Sequence, residues 1–146
     1  MEVKHIGAGC GVMVFNEQNQ LLLGLRNSDE EKADSELHEE GTWTMPGGNI
    51  EYGETSEEAG IREPKEETGI DIYDLEIICV QTDKNEYAHY ISVGMVAHSY
   101  QGIPKAIEPD EIVEWQWFDL NNLPKNIFSP SKKTIDCYLS KKFYMG

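Results

Sequence analysis

The amino-acid sequence predicts a domain of the α/β or α+β type, in which helices pack on a mixed β-sheet. Its 146 residues are enough for one hydrophobic core of ordinary size. Several short apolar runs are rich in β-branched residues, which is typical of strands. Two further segments have helical start or stop signals, one in the middle of the chain and one near its end. No internal repeat or linker interrupts the chain, so we expect residues 1–146 to form a single domain.

The first two strands are predicted at residues 8–15 and 21–25. Both segments are apolar, and the five polar residues between them predict a β-hairpin. Because the two segments are apolar nearly throughout, we expect at least one of these strands to be covered on both faces.

Residues 28–41 are strongly acidic, with seven carboxylates against one lysine. A solvated surface loop is the ordinary interpretation of such a charge run. A mobile lid beside a functional site is the alternative, since long loops in compact domains are often functional. No residue in the segment decides between the two.

A helix is predicted from Thr55 to about Gly69, after a short strand at residues 42–45 and a loop. Thr55 and Glu58 have the spacing of a capping box, in which the two side chains bind each other's backbone N–H groups. Gly69 suits the left-handed conformation that ends many helices.

Three more strands and a second helix are predicted in the remainder of the chain. The strands are expected at residues 75–81, 87–100 and 112–118, and the helix begins near Ser129. Strand alternation places Trp115 and Trp117 on one face and Phe118 on the other. The predicted helix has Ile135, Tyr138, Leu139 and Lys142 on one side.

Composition excludes several classes of function. The chain has 12 Lys and Arg against 27 Asp and Glu, a net charge of −15, which argues against nonspecific binding to nucleic acid or anionic membranes. No apolar run approaches the length of a membrane span, and the N-terminus lacks the pattern of a signal peptide. Three cysteines without a CxxC spacing predict neither a disulfide framework nor a zinc site, so a cytoplasmic location is expected.

The predicted central helix carries three carboxylates with the spacing of one helix face. Glu63, Glu66 and Glu67 stand at i, i+3 and i+4, where like charges repel. A divalent cation such as Mg²⁺ or Mn²⁺ would relieve this repulsion, because both prefer carboxylate oxygens. A solvated acidic face is the alternative. Arg62 on the same helix could pair with Glu54 and fix the preceding loop.

This stretch resembles the Nudix box. The matching positions span residues 48–70 at fixed spacing: Gly48, Glu54, Arg62, Glu63, Glu66, Glu67, Thr68, Gly69 and Ile70. Residues 9–15 and 21–26 are similar to the hairpin that precedes the box in this family, and residues 42–48 to its lead-in. Residues 115–124 resemble a late strand and turn of MutT-like members.

The resemblance implies a Nudix-type α/β/α sandwich with a mixed β-sheet. It also implies hydrolysis of the pyrophosphate linkage of a nucleoside diphosphate derivative with Mg²⁺ or Mn²⁺. A nucleoside triphosphate cleaved to the monophosphate and pyrophosphate is the first expected substrate. ADP-ribose or a nucleotide sugar is the alternative, and a non-catalytic nucleotide-binding module is a further one. The expected partner is thus a small nucleotide rather than nucleic acid or membrane, and homodimers are common in the family.

The resemblance also assigns roles to individual residues. Metal binding falls to the carbonyl of Gly47 and to Glu63, Glu66 and Glu67. Glu54 and Arg62 would orient the loop and helix, and Glu66 is the preferred base, with Glu108 and Glu111 as rivals. The candidates for substrate binding are Gly48, Arg26, Trp43, His89 and Glu111.

Pro64 departs from the pattern, because the box has an aliphatic residue at this position. Proline inside a helix removes one backbone hydrogen bond, here to the Gly60 carbonyl, and costs about 3 kcal/mol. Either the helix is regular with one flaw, or Gly60 and Pro64 together set a bend that places the glutamates.

Overall fold

A computed structural model describes residues 3–33 and 35–146 of the chain. The predictions for Met1, Glu2 and Asp34 therefore lie outside the described residues. The elements follow one another as β1 (Gly7–Val14), β2 (Gln20–Arg26), α1 (Glu30–Ala33), β3 (Trp43–Thr44), β4 (Gly47–Asn49), α2 (Ser56–Thr68), β5 (Asp71–Lys84), β6 (His89–Gln101), β7 (Ile112–Asp119), α3 (Ser129–Ser140) and β8 (Tyr144–Met145).

The strands form two sheets. The larger has the order β4-β1-β6-β5-β8, and the smaller has the order β3-β2-β7. In the larger sheet β1 pairs parallel with β6 and antiparallel with β4, while β5 pairs antiparallel with β6 and parallel with β8. The predicted mixed sheet is therefore confirmed.

Side chains alternate between two hydrophobic cores on opposite faces of the larger sheet. On β1, Val12 and Val14 belong to the core that contains Ala59 of α2. Met13 points the other way, into the core that contains Ile135 of α3. Because a strand sends successive side chains to opposite faces, α2 and α3 lie on opposite sides of the sheet. This arrangement confirms the predicted α/β/α sandwich.

The predicted hairpin of the first two strands is wrong. Phe15 and Leu21 form one bridge beside the turn, after which β1 and β2 diverge into different sheets. Both edges of β1 are occupied by β4 and β6, and both edges of β2 by β3 and β7. The two strands therefore have no free edge for each other. The expectation of burial on both faces is confirmed for both strands.

Several other boundaries differ from the sequence-based expectation. Strand β5 is longer than residues 75–81, because it begins two residues after Gly69 and continues through a bulge between Ile77 and Cys79. Residues 47–49, expected in a loop, form β4 against β1. The last helix ends before Lys142, and the short strand β8 follows it. As predicted, Trp115 and Trp117 contact one core and Phe118 the other.

Helix α2 has the predicted ends. Thr55 and Glu58 form the complete capping box, and Gly69 ends the helix in the left-handed conformation. The helix is continuous across Pro64, which is buried. Gly60 has a packing role, because a Cβ at this position would lie 2.7 Å from Cε of Met95. The helix therefore lies close against β6 at Gly60.

No helix among the described residues has both the length and the apolar character needed to cross a membrane.

Candidate active site

A cavity of about 450 Å³ lies between α2, the start of α3 and the ends of the central strands. Most of its charged lining is acidic. The lining carboxylates come from Glu36, Glu51, Glu63, Glu66, Glu67, Glu108 and Glu111. Such a concentration of negative charge suits a cation rather than a bare anion.

Glu67 is the most deeply buried of the α2 glutamates, with 6% of its surface exposed. Its Oε1 accepts a hydrogen bond of 2.8 Å from the backbone N–H of Gly47. Burial raises the pKa of Glu67 well above its usual range, and the negative charges of Glu63, Glu111 and Glu108 raise it further. The Gly47 N–H opposes this shift. An ionised carboxylate in this position calls for a compensating positive charge.

Glu63 lies against Gly48. A Cβ at Gly48 would stand 2.6 Å from Cδ of Glu63, so a side chain at this position would displace the Glu63 carboxylate. Burial raises the pKa of Glu63, whereas the hydrogen bond from Arg62 lowers it. Gly48 thus gives the Glu63 carboxylate its place beside the β4 backbone.

Arg62 joins the loop before α2 to the helix, as the sequence predicts. Its Nε and Nη2 donate to the two carboxylate oxygens of Glu54 at 2.5 and 2.9 Å, and Nη2 also donates to the Asn49 carbonyl at 3.0 Å. Its Nη1 donates to Glu63 at 3.0 Å and to Glu66 at 3.3 Å. The Arg62 guanidinium, by hydrogen bonding, lowers the pKa of Glu54 to about 2.

Glu63 and Glu66 therefore share Arg62, whereas Glu67 turns towards Gly47. Among the His, Cys, Asp and Glu side chains of the described residues, three ligand atoms lie within 4.8 Å of one another only at Glu30, His38 and Glu40 in the acidic stretch. That group is not buried, and exposed acidic side chains occur widely without an ion. The three carboxylates predicted to bind metal on α2 are not gathered this closely.

The side chain of Glu66 is half-exposed at the cavity rim.

The loop between β6 and β7 brings two further glutamates to the cavity. The N–H groups of Lys105 and Ile107 donate to the carbonyls of Thr68 and Glu67, at 3.0 and 3.4 Å. These bonds attach the loop to the C-terminal end of α2. Glu108 and Glu111, the two rival bases named from the sequence, consequently line the cavity.

Part of the acidic stretch forms a cavity wall, which sequence reasoning did not establish. Ala33 and Leu37 are buried and line the cavity with Ser35 and Glu36. Asn85 donates to the Leu37 carbonyl at 2.8 Å, and Tyr90 donates to the Glu36 carboxylate at 2.9 Å. These contacts argue against a solvated loop and place this part of the segment beside the cavity, as the lid interpretation expects, whereas the mobility of a lid stays a prediction. The sequence contained one signal of this wall, because Ala33 and Leu37 are apolar residues four apart within an acidic run.

Buried polar groups near the start of α3 form another wall that the sequence did not reveal. Ser131 accepts a hydrogen bond of 3.0 Å from the N–H of Met45. Gln81 is 1% exposed, donates to Asp83 and the Pro130 carbonyl, and accepts from Thr134. A glutamine and an aspartate two apart on one strand face were the only indication of this network.

Arg26 closes the cavity at the end of β2. Its guanidinium donates through Nη1 to the Glu39 carbonyl and, at 3.2 Å, to Oγ1 of Thr42. Its Cζ lies 4.4 Å from the ring centroid of Phe128, a cation–π distance. Burial lowers the pKa of Arg26, and the carboxylates of Glu39, Glu111 and Glu40 oppose this effect.

Two of the sequence candidates for substrate binding are not among the described lining residues. Trp43 packs edge-on against Phe118, with 5.0 Å between ring centroids, beside the core on the α3 side. His89 begins β6 and pairs with Lys84. Their roles in binding stay predictions, whereas Gly47, Gly48, Arg26 and Glu111 do line the cavity.

Comparisons with known proteins agree with this geometry. The model of the NUDIX domain family matches residues 5–137. An ADP-ribose pyrophosphatase from Methanocaldococcus jannaschii is 36% identical over 121 residues, which cover 82% of this chain and 66% of that protein. The chain thus spans just under two thirds of that relative's length.

Two further similarities cover a larger share of the relative's own length. An RNA pyrophosphohydrolase from Gluconacetobacter diazotrophicus is 31% identical over 132 residues, which cover 79% of this chain and 78% of that protein. The crystal structure of a MutT NUDIX hydrolase from Burkholderia pseudomallei superimposes with a TM-score of 0.80 at 27% identity, over 91% of this chain and 98% of the other.

Proposed function

The chain belongs to the Nudix hydrolase family, and from this premise we propose that it hydrolyses the pyrophosphate linkage of nucleoside diphosphate derivatives with a divalent cation. The observation that carries the proposal is the cavity in which the carboxylates of α2 face those of the loop between β6 and β7. A non-catalytic nucleotide-binding module on the same fold would not need buried carboxylates at this density.

The donor set fits Mg²⁺ or Mn²⁺, the cations that the family implies. Glu63, Glu66 and Glu67 would hold the metal with the Gly47 carbonyl, and Glu67 would gain the positive charge that its burial calls for. When bound, the cation supplies charge neutralisation for the phosphate oxygens and lowers the pKa of the attacking water.

The remaining steps belong to side chains of this protein. Glu66 is proposed as the proton acceptor, because it lies at the cavity rim, where its carboxylate accepts from Arg62. Arg62 and Glu54 fix the loop before α2, and Gly47 orients Glu67 through its N–H. Glu108 and Glu111 are the rival proton acceptors, because they line the same cavity.

We propose a nucleoside triphosphate as the first substrate, cleaved to the monophosphate and pyrophosphate. The resemblance of residues 115–124 to MutT-like members supports this substrate, and the similar solved structures include a MutT NUDIX hydrolase. ADP-ribose is the second candidate, supported by the 36% identity to an ADP-ribose pyrophosphatase. The net charge of −15 favours a small nucleotide over an RNA chain, because RNA binding gains from a basic surface.

A panel of nucleoside triphosphates, ADP-ribose, nucleotide sugars and 5′-triphosphorylated RNA, assayed with Mg²⁺, tests the proposal. We expect hydrolysis of at least one small nucleotide, and a reduction of kcat by about 100-fold or more in Glu67→Gln. Glu57→Gln is the matched control, since Glu57 is an exposed residue of the same helix. No hydrolysis of any compound, or equal activity of Glu67→Gln and the native protein, would contradict the proposal.

The same assay separates the candidate bases. If Glu66→Gln is nearly harmless and Glu111→Gln is severe, the base is Glu111. Products formed in ¹⁸O-labelled water identify the phosphorus that is attacked, because the label enters the product that received the water oxygen.

A further inference from the structure

The α3 side of the larger sheet has a row of glycines on β1. Gly7, Gly9 and Gly11 stand at alternate positions, so they share one face of the strand. Met13 continues this row into the hydrophobic core that contains Ile135 of α3. Because Gly9 and Gly11 also line the cavity, part of the cavity wall is strand backbone without side chains.

Packing explains two of these three glycines but not the third. A Cβ at Gly7 would lie 2.4 Å from the Tyr90 ring. A Cβ at Gly11 would lie 2.9 Å from Sδ of Met45. A Cβ at Gly9 would have no neighbour among the described residues closer than 3.2 Å, and its three nearest atoms all belong to strands of the same sheet. The missing side chain at Gly9 therefore leaves space that opens into the cavity.

Ser92 on β6 pairs with Gly9, and its Oγ is the atom nearest to the space that Gly9 leaves. Ser92 lines the cavity with 8% of its surface exposed. Its hydroxyl has no hydrogen-bond partner among the described residues. It is not one of the unpartnered polar atoms that are completely enclosed, so it retains surface that a ligand can reach. Since a buried hydroxyl without a partner is destabilising, this group indicates a ligand that supplies the partner.

The Ser92 hydroxyl stands apart from the residues proposed to hold the cation. Strand β1 separates β6 from β4, so Ser92 lies two strand spacings, or about 10 Å, across the sheet from β4. Its hydroxyl therefore faces a part of the substrate away from the scissile pyrophosphate. Tyr90, two residues earlier on the same face, donates to Glu36 and thereby places the segment that contains Leu37 beside this part of the cavity.

We propose that a nucleobase lies against the backbone at Gly9 and that Ser92 hydrogen-bonds its polar edge, which makes Ser92 a specificity-determining residue. The inference rests on the proposed function and assigns the chemistry of one part of its site. A flat ring fits strand backbone without a side chain, whereas the Glu36 carboxylate disfavours a phosphate in the same place. A hydroxyl both donates and accepts, so it can pair with a carbonyl, a ring nitrogen or an amino group of the base.

Discrimination between bases tests the role of Ser92. We expect Ser92→Ala to lower kcat/KM for the preferred base about 3- to 10-fold, the effect of one neutral hydrogen bond, and to bring it closer to the values for the other bases. The substrates are the four ribonucleoside triphosphates, or nucleoside diphosphate sugars that differ only in the base, each with Mg²⁺. Ser99→Ala is the matched control, since Ser99 is an exposed serine of the same strand. Unchanged discrimination in Ser92→Ala would overturn the proposal.

Melting temperatures separate this role from a structural one. Without substrate the hydroxyl has no partner in the fold, so Ser92→Ala should melt at the native temperature or above it. A clearly lower melting temperature would show that the hydroxyl stabilises the fold, and would remove the reason to assign it a ligand.

Gly9→Ala tests the place of the base. The added methyl group would stand 3.2 Å from Oγ of Ser92 and requires only a small shift of that side chain, so the protein should fold. Because the methyl group occupies the space assigned to the base, KM should rise about 10-fold or more with every base while kcat changes less than about threefold. Native KM values in folded Gly9→Ala would show that no ring lies against this backbone.

Product inhibition identifies the part of the nucleotide that the hydroxyl contacts. The inhibition constant of the nucleoside monophosphate should rise in Ser92→Ala, whereas that of ribose 5-phosphate should not change, because this compound has no base. An equal rise for both would assign the hydroxyl to the sugar or the phosphate and reject the base. Failure of the native protein to hydrolyse any nucleotide would reject the proposed function, whereas retained activity with a native base preference in Ser92→Ala would reject only this inference.

Discussion

Gly47 and Gly48 are adjacent glycines with different reasons to lack a side chain. A Cβ at Gly47 would lie 2.1 Å from the carbonyl oxygen of Cys10, so the backbones of β1 and β4 could not pair as they do. A Cβ at Gly48 would instead meet the Glu63 carboxylate, which is the end of a flexible side chain. The first glycine therefore serves the sheet, and the second serves the site.

Alanine substitutions should separate these two roles. Gly47→Ala is expected to destabilise the fold by about 2–4 kcal/mol, because the backbone must move. Gly48→Ala should change stability by less than about 1 kcal/mol but lower kcat/KM about 10- to 100-fold, because it displaces Glu63. Urea unfolding and steady-state kinetics measure the two quantities. Unaltered kinetics in a folded Gly48→Ala protein would show that the position of Glu63 is unimportant.

Glu54 gives the stability of the protein a defined pH dependence. Hydrogen bonding to Arg62 lowers its pKa from 4.5 to about 2 in the folded state. Between these values the unfolded chain binds more protons than the folded one, so the contribution of Glu54 is complete above about pH 4.5 and disappears as the pH falls through about 2. The stability difference between the native protein and Glu54→Gln should therefore shrink from pH 7 to pH 3 in urea unfolding. An equal difference at both pH values would mean that Arg62 does not lower the pKa of Glu54.

At the scale of the element, α2 shows how one helix tolerates an interior proline. The capping box, the left-handed Gly69 and the hydrogen bond of 2.7 Å from Thr68 to the Pro64 carbonyl fix both ends of the helix. Gly60 is explained by its close approach to Met95, so no bend is needed to account for it. Pro64 remains a local cost that the surrounding packing outweighs.

Pro64→Ala should therefore stabilise the fold by about 1–2 kcal/mol. Restoring the backbone donor gains about 3 kcal/mol, and removing two buried ring carbons loses about 1.6 kcal/mol. Pro124→Ala, a change in a loop, should instead destabilise by about 0.4–1 kcal/mol through the unfolded chain. Thermal and urea unfolding measure both variants. A destabilised Pro64→Ala protein would indicate that packing of the proline ring stabilises the fold by more than the missing backbone hydrogen bond destabilises it.

At the scale of the whole molecule, the net charge of −15 and the acidic cavity make stability depend on cations. Self-repulsion of a highly charged chain destabilises the compact state, and any salt screens it. A cation that binds only the folded cavity stabilises further by mass action. The homodimer that is common in the family stays a prediction for this chain, which light scattering tests.

Mg²⁺ should raise the melting temperature of EDTA-treated protein by about 5–10 °C at 100 times its dissociation constant. NaCl at matched ionic strength is the control and should produce a smaller rise, because it only screens. Glu67→Gln should abolish most of the difference between the two salts. EDTA should also remove activity, and Mg²⁺ or Mn²⁺ should restore it. Full activity in EDTA would contradict the metal-dependent mechanism.

The sequence by itself determined the features that depend on neighbours within a few residues. The capping box, the C-terminal Gly69 and the three glutamates of one helix face follow from spacing along α2, and the Nudix box identified the family and the sandwich. Local spacing is sufficient because these groups meet within one or two helical turns.

Only the tertiary structure decided how distant segments meet. It separated β1 from β2, because both edges of each strand were already occupied. It also completed the cavity with Leu37, Gln81 and Ser131, which come from three separate parts of the chain. Contacts between segments depend on which strand edges and faces remain free after the whole chain has folded, and no local pattern records that.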